Sequence, residues 1–137
     1  MSPKKIDRRK HEIIVSPPLL NRIFQSILER RFTEAERRLE EIETKIRGKN
    51  YDEFKRGFIQ ALKGMILMHR SNDRDTFLNN IDLKDANALK KYYREFSKNA
   101  ENRLHADYDR GYFLALTKYM SFILKQAKSK GAFNGKN

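Results

Sequence analysis

The chain reads as an all-α protein of about six helices, built as a tandem duplication of a three-helix unit. Three observations predict this. Phe54-Lys-Arg56-Gly57-Phe58 returns 54 positions later as Tyr108-Asp-Arg110-Gly111-Tyr112, and Ala61-Leu62 returns as Ala115-Leu116. At the same offset Ala35, Leu39, Ile42 and Ile46 fall on Leu89, Tyr93, Phe96 and Ala100, and Ile23, Phe24 and Ile27 fall on Phe77, Leu78 and Ile81. Self-similarity at a fixed period is the mark of stacked helical units. Finally, 35% of residues are charged, while proline and glycine are almost absent from the periodic segments, which is the composition of helices with ionised outer faces.

Each element has its own signal. Residues 1–16 form a basic N-terminal tail ending in the β-branched run Ile13-Ile14-Val15, expected to lie extended over the bundle. The first eleven residues have nothing apolar enough to offset the cost of ordering and read as disordered alone. Pro17-Pro18 stops any helix before it and can open one after it. The first helix should cover about 19–30 and bury Leu20, Ile23, Phe24, Ile27 and Leu28. Thr33 with Glu36 three residues on predicts a capping box. The second helix then buries Ala35, Leu39, Ile42 and Ile46, with Glu34, Glu40, Glu41 and Glu43 on its outer face among arginines and lysines. A third helix over about 52–70 carries Gly57, Ala61 and Gly64 near one face. Glycine inside a helix costs about 1 kcal/mol relative to alanine, so its presence at both Gly57 and Gly111 predicts close backbone approach. Residues 71–74 read as the hinge between copies.

The second copy opens with a short helix near 75–81. A fifth helix over about 84–102 should bury Ala86, Leu89, Tyr93, Phe96 and Ala100. The sixth, over about 106–128, is apolar nearly all round, and is expected either at the centre of the core or as a docking face. The helical repeat domain therefore spans 17–128, with copies over 19–70 and 73–124, and 129–137 is a basic C-terminal tail.

The stretch Glu29-Arg-Arg-Phe32-Thr-Glu-Ala35-Glu-Arg-Arg-Leu39-Glu-Glu-Ile42 resembles the second half of a tetratricopeptide motif, with an aromatic near the turn, then a small and a large apolar residue at helical spacing. The resemblance covers about two dozen residues of the first copy. It departs from the family in period and in having Leu89 where the first copy has Ala35. It implies a stacked helical-hairpin, tetratricopeptide-like architecture and a partner-binding role.

Thirty Lys and Arg against eighteen Asp and Glu give a net charge of +12. Lys4, Lys5, Arg8, Arg9 and Lys10 against Asp7 leave four positive charges at the N-terminus. Lys125, Lys128, Lys130 and Lys136, with no acid among residues 125–137, leave four more. Basic ends on a nearly balanced body are the footprint of contact with a polyanion. On the fifth helix Lys91, Arg94 and Lys98, with Lys90 beside them, form a basic stripe opposite the apolar one, and Tyr92 is placed between the two, able to stack on a base. The expected partner is RNA or a ribonucleoprotein, with DNA possible, held by counterion release without sequence-specific readout. RNA is favoured because mobile basic ends reach irregular folded RNA well.

Catalysis is not indicated. With no cysteine, disulfides, thiol catalysis and Cys-based zinc sites are absent together. His11, His69 and His105 have no metal-ligand spacing, so no metal and no cofactor is expected. Asp52, Glu53, Asp107 and Asp109 read as acids favourably placed in first helical turns rather than as acid–base pairs. Arg56 and Arg110 could clamp phosphates as an equivalent pair, but the preferred reading is an ion pair with a carboxylate of a neighbouring helix. Arg56, Gly57, Ala61, Arg110, Gly111 and Ala115 form a helix-packing or partner-groove set. The competing function is a helical adaptor using the sixth helix and the groove beside Gly57 and Gly111 to hold a protein partner. No segment is long and apolar enough to cross a bilayer, and a soluble, cytoplasmic protein is expected. The sequence leaves the oligomeric state open.

Overall fold

The computed structural model describes residues 14–48, 50–71 and 77–129. Six helices follow one another: α1 (Pro17–Leu28), α2 (Phe32–Arg47), α3 (Glu53–Ser71), α4 (Phe77–Asn80), α5 (Ala86–Glu101) and α6 (Asp107–Ser129). There is no strand among the described residues, and no helix is long and apolar enough to cross a membrane.

Helix α1 starts on Pro17 and buries Leu20, Ile23, Phe24 and Ile27. It ends in a tight motif in which the Arg30 N–H donates to the Ile27 carbonyl (3.0 Å) and the Arg31 N–H to that of Ser26 (2.8 Å). Arg30 takes the left-handed conformation (φ 60°) where this motif usually has glycine, at a cost of roughly 1–2 kcal/mol. Its guanidinium carbon lies 5.1 Å from the ring centre of Phe32, and that of Arg70 lies 5.7 Å away.

This turn overrides the capping box expected at Thr33. Helix α2 already begins at Phe32, its N-cap is Arg31 with no side-chain cap hydrogen bond, and Thr33 sits inside the first turn. Glu36, released from capping, pairs with Arg70 at 2.8 Å and joins α2 to α3. Glu43, expected on the outer face, is buried. It accepts from Arg47 and the Tyr51 hydroxyl at 3.0 Å each, and Lys63 of α3 pairs with it at 2.9 Å. Desolvation pushes its carboxyl up, but the hydrogen bonds from Lys63, Arg47 and Tyr51 together outweigh that and leave the pKa lowered.

The centre of the molecule is the α3–α6 pair. A Cβ added to Gly57 would run into the carbonyl of Tyr108, with its carbon only 2.8 Å away. One added to Gly111 would run into the carbonyl of Phe54, with its carbon 2.9 Å away. Positions 54 and 57 thus exchange contacts with 108 and 111, and the first turns of two helices meet through bare backbone. Further along, His69 reaches Tyr119, so the two helices run in the same direction. Ala61, Leu62, Met65, Ala115, Tyr119 and Met120 fill the space around them.

Helix α6 is therefore at the centre of the core, covered by α3, by α5 along its length and by part of α1. Most of the apolar surface that suggested a docking face is used internally. The two halves are not packed alike: α5 lies along α6 extensively, whereas α2 meets α3 over a shorter stretch, and α4 is one turn where α1 is three. Ile14 packs against the core and Val15 is buried, as expected for the segment before Pro17. Ile13, the hinge at 72–74 and both basic tails up to residue 13 and from residue 130 lie outside the described residues.

Candidate nucleic-acid interface

Helix α5 is positioned by its ends and by one aromatic ladder. Asp85 caps it, accepting from the Ala88 N–H at 3.1 Å. At the other end Arg110 of α6 donates from Nε to the Ala100 carbonyl at 3.0 Å, satisfying one of the last acceptors of the helix. Between them Leu89 is buried, Tyr92 stacks on Phe96 (centroids 6.0 Å) and Phe96 on Phe113 of α6 (6.2 Å).

With that face turned inward, Lys90, Lys91, Arg94 and Lys98 are all exposed. No carboxylate pairs with any of them among the described residues. Helix α2, which carries more charged residues, differs: Arg37 pairs with Glu41, Arg38 with Glu34 and Arg47 with Glu43 along the same helix. Cations already matched within four residues offer little to an anion, while the α5 row, although diluted by exposed Glu95, has no carboxylate within pairing distance among the described residues.

The two tyrosines trade the places expected of them. Tyr92, expected to be available for stacking on a base, is half-buried against Phe96, and Tyr93, expected in the core, is 37% exposed. Either fits an apolar stripe that includes Leu89, Phe96 and Ala100, three or four residues from the first of these. The ring of Phe113 across the interface decides, and no signal in α5 itself could have done so. Tyr93 stands three residues after Lys90 and so shares its face. It is the aromatic that belongs with the basic row.

Lys125 and Lys128 are exposed on the last turns of α6. Lys4, Lys5, Arg8, Arg9, Lys10 and Lys130 lie outside the described residues. Ile14 and Val15 line the same groove as Lys125 and Gln126 of α6. That groove lies between α1 and α6 and has a volume of about 630 Å³.

Arg56 and Arg110 do not pair with a carboxylate of a neighbouring helix as expected. Arg56 meets Glu53 (3.3 Å) and Arg110 meets Asp107 (3.9 Å), each one turn back on its own helix. Arg110 also donates to the Ala100 carbonyl, which ties its guanidinium to α5 instead of across the α3–α6 crossing. Gly57, Ala61, Gly111 and Ala115 are buried between α3 and α6; they form a packing surface closed by the opposite helix, not an open groove.

No protein-family model, curated protein or solved structure matches the chain. Function has to be read from its own side chains.

Among the described residues no group of three or more His, Cys, Asp or Glu could hold a metal ion. His69 Nε2 is 2.9 Å from the hydroxyl of the wholly buried Tyr119, and burial lowers the histidine pKa, opposed by a hydrogen bond with Asn79. His105 Nε2 is 3.0 Å from Asn99 Oδ1, bracing the turn into α6. Asp52 accepts from the Lys55 N–H at 2.9 Å, which is helix capping.

Proposed function

We propose that the protein is a non-catalytic, cytoplasmic RNA- or ribonucleoprotein-binding factor, gripping phosphates through α5 and its basic ends. The observation that carries this reading is the row Lys90, Lys91, Arg94 and Lys98, without a carboxylate partner among the described residues and beside exposed Tyr93, set against the Arg37–Glu41, Arg38–Glu34 and Arg47–Glu43 pairs of α2. Phosphate contacts of this kind release counterions and are independent of sequence. Neutralising about five phosphates gives a log–log salt slope near −3.5 to −4.5. Tyr93 adds a stacking surface for one unpaired base, which favours single-stranded segments.

We also infer a duplicated, tetratricopeptide-like scaffold. What supports it is the exchange of contacts between 54/57 and 108/111, the arrangement that two copies of one unit make across a two-fold axis. The adaptor alternative has less support, because α6 spends its apolar surface inside the core.

The test is retention of single-stranded RNA, duplex RNA and DNA across a salt series, by the intact chain and by a variant with Lys90, Lys91, Arg94 and Lys98 changed to Ala. Binding to single-stranded RNA with a steep salt slope, flattened in the variant, is expected. No retention of any nucleic acid at low salt would sink the reading.

A further inference from the structure

Helices α5 and α6 run in opposite directions. Arg110, near the start of α6, meets the Ala100 carbonyl at the end of α5, and Phe113 meets Phe96. Followed further along, this register brings Tyr93 level with Thr117 and Lys90 level with Met120, within a turn of Lys118. Successive residues of a right-handed helix advance by about 100°, clockwise when the helix runs away from the viewer. Take α6 running away, with α5 above it. From Phe113, which points up at α5, Ser121, Leu114, Lys125 and Lys118 come round on the right. In α5, which runs towards the viewer, the sense is reversed. From inward Leu89, first Tyr93 and then Lys90 and Arg94 come round on the right too, while Lys91 turns over the top to the far side.

Burial agrees with this handedness. On the left of α6, Leu116, Met120 and Ile123 are buried, and Tyr92 on that side of α5 is half-buried. On the right Leu114 and Ser121 are half-buried, Lys118 and Lys125 are exposed, and Tyr93 is the more exposed tyrosine. No carboxylate pairs with Lys118 or Lys125 among the described residues. Glu101 and Asp107 are exposed on the same side, but at its far end, with Glu101 about 12 Å along α5 from Tyr93.

We propose that single-stranded RNA crosses α5 and α6 on this flank. One base lies on Tyr93, and the backbone is held by Lys90 and Arg94 on one helix and by Lys118 and Lys125 on the other. The inference rests on the RNA-binding reading above. It adds Lys118 to that site and sets the strand across the helix axes instead of along α5. Two features select this occupant. Tyr93 stands between cations from two helices, which suits a strand whose base is free to stack; a duplex keeps its bases stacked on one another and leaves the ring unused. The cations gather at the end of the flank away from Glu101 and Asp107, so positive charge is concentrated where the ring is exposed.

The experiment uses the full chain and an unstructured single-stranded RNA of about 12 nucleotides. Lysine acylation with and without RNA, read by mass spectrometry, is combined with binding across a salt series for the natural chain and for Lys118→Ala, Lys125→Ala and, as a control on α2, Lys45→Ala. Circular dichroism checks that each is folded. RNA should shield Lys90, Lys118 and Lys125, while Lys91 and Lys45 stay reactive. Lys118→Ala and Lys125→Ala should each reduce the salt slope by about 0.7 and weaken binding about fivefold at about 0.1 M salt, and Lys45→Ala should change neither. Shielding of Lys90, Lys91 and Lys98 without Lys118, and a natural slope in Lys118→Ala, would put the strand along α5 and overturn this inference while leaving the proposed function standing. Shielding of Lys45 as strong as that of Lys118 would overturn it as well. Absence of RNA binding by the natural chain would overturn both. Polyglutamate that removes the RNA at equal charge would assign the flank to an acidic protein instead.

Discussion

At Gly57 and Gly111 the missing Cβ lets two helix backbones meet, whereas at Gly64 a Cβ would find only the Tyr112 hydroxyl at an ordinary 3.4 Å. The three glycines therefore separate under one substitution. Gly57→Ala or Gly111→Ala must force α3 and α6 apart, and each should cost about 3 kcal/mol or more, read as a thermal midpoint lowered by about 10 °C. Gly64→Ala should instead gain up to about 1 kcal/mol from helix propensity and raise the midpoint. The close approach at 57 and 111 was legible in the sequence, because a costly residue recurred at one register. The environment of Glu43 was not. Its position among Glu40 and Glu41 looks like any solvated face, and only Lys63 of the next helix and Tyr51 of the connection before it make it an internal anchor.

Helix α5 behaves as two surfaces that can be removed separately. Replacing Lys90, Lys91, Arg94 and Lys98 by Ala should leave thermal stability nearly unchanged, since none has a carboxylate partner among the described residues and alanine favours helix. On single-stranded RNA each lost phosphate contact should reduce the salt slope by about 0.7. Tyr93→Ala should weaken RNA binding by about 1–3 kcal/mol through lost stacking with little effect on melting. Tyr92→Ala should do the reverse, lowering the midpoint and leaving the salt slope alone. Helix existence and order along the chain were readable because the apolar spacing repeats. Which tyrosine turned inward was not readable, because both are compatible with the stripe and Phe113 lies on another element. The start of α2 was missed for a similar reason: a capping box is a local signal, and the Arg30 turn places the helix start upstream of it.

The whole molecule should lose stability in two steps as pH falls. Burial holds the His69 pKa below its ordinary 6.5, so the unfolded chain takes up a proton first. The benefit of a neutral His69 is complete above about 6.5 and is lost as pH drops through the folded value. Glu43 is held below its ordinary 4.5 despite desolvation, by Lys63, Arg47 and Tyr51, so its contribution is complete above 4.5 and disappears at lower pH. Urea midpoints should be flat between about pH 7 and 9, decline below 6.5 and fall again below 4.5. His69→Gln should remove the first decline and spare the second. The groove wall shared by Ile14 and Gln126 also bears on labelling: a reporter dye on an exposed residue of α2, such as Lys45, leaves that wall untouched.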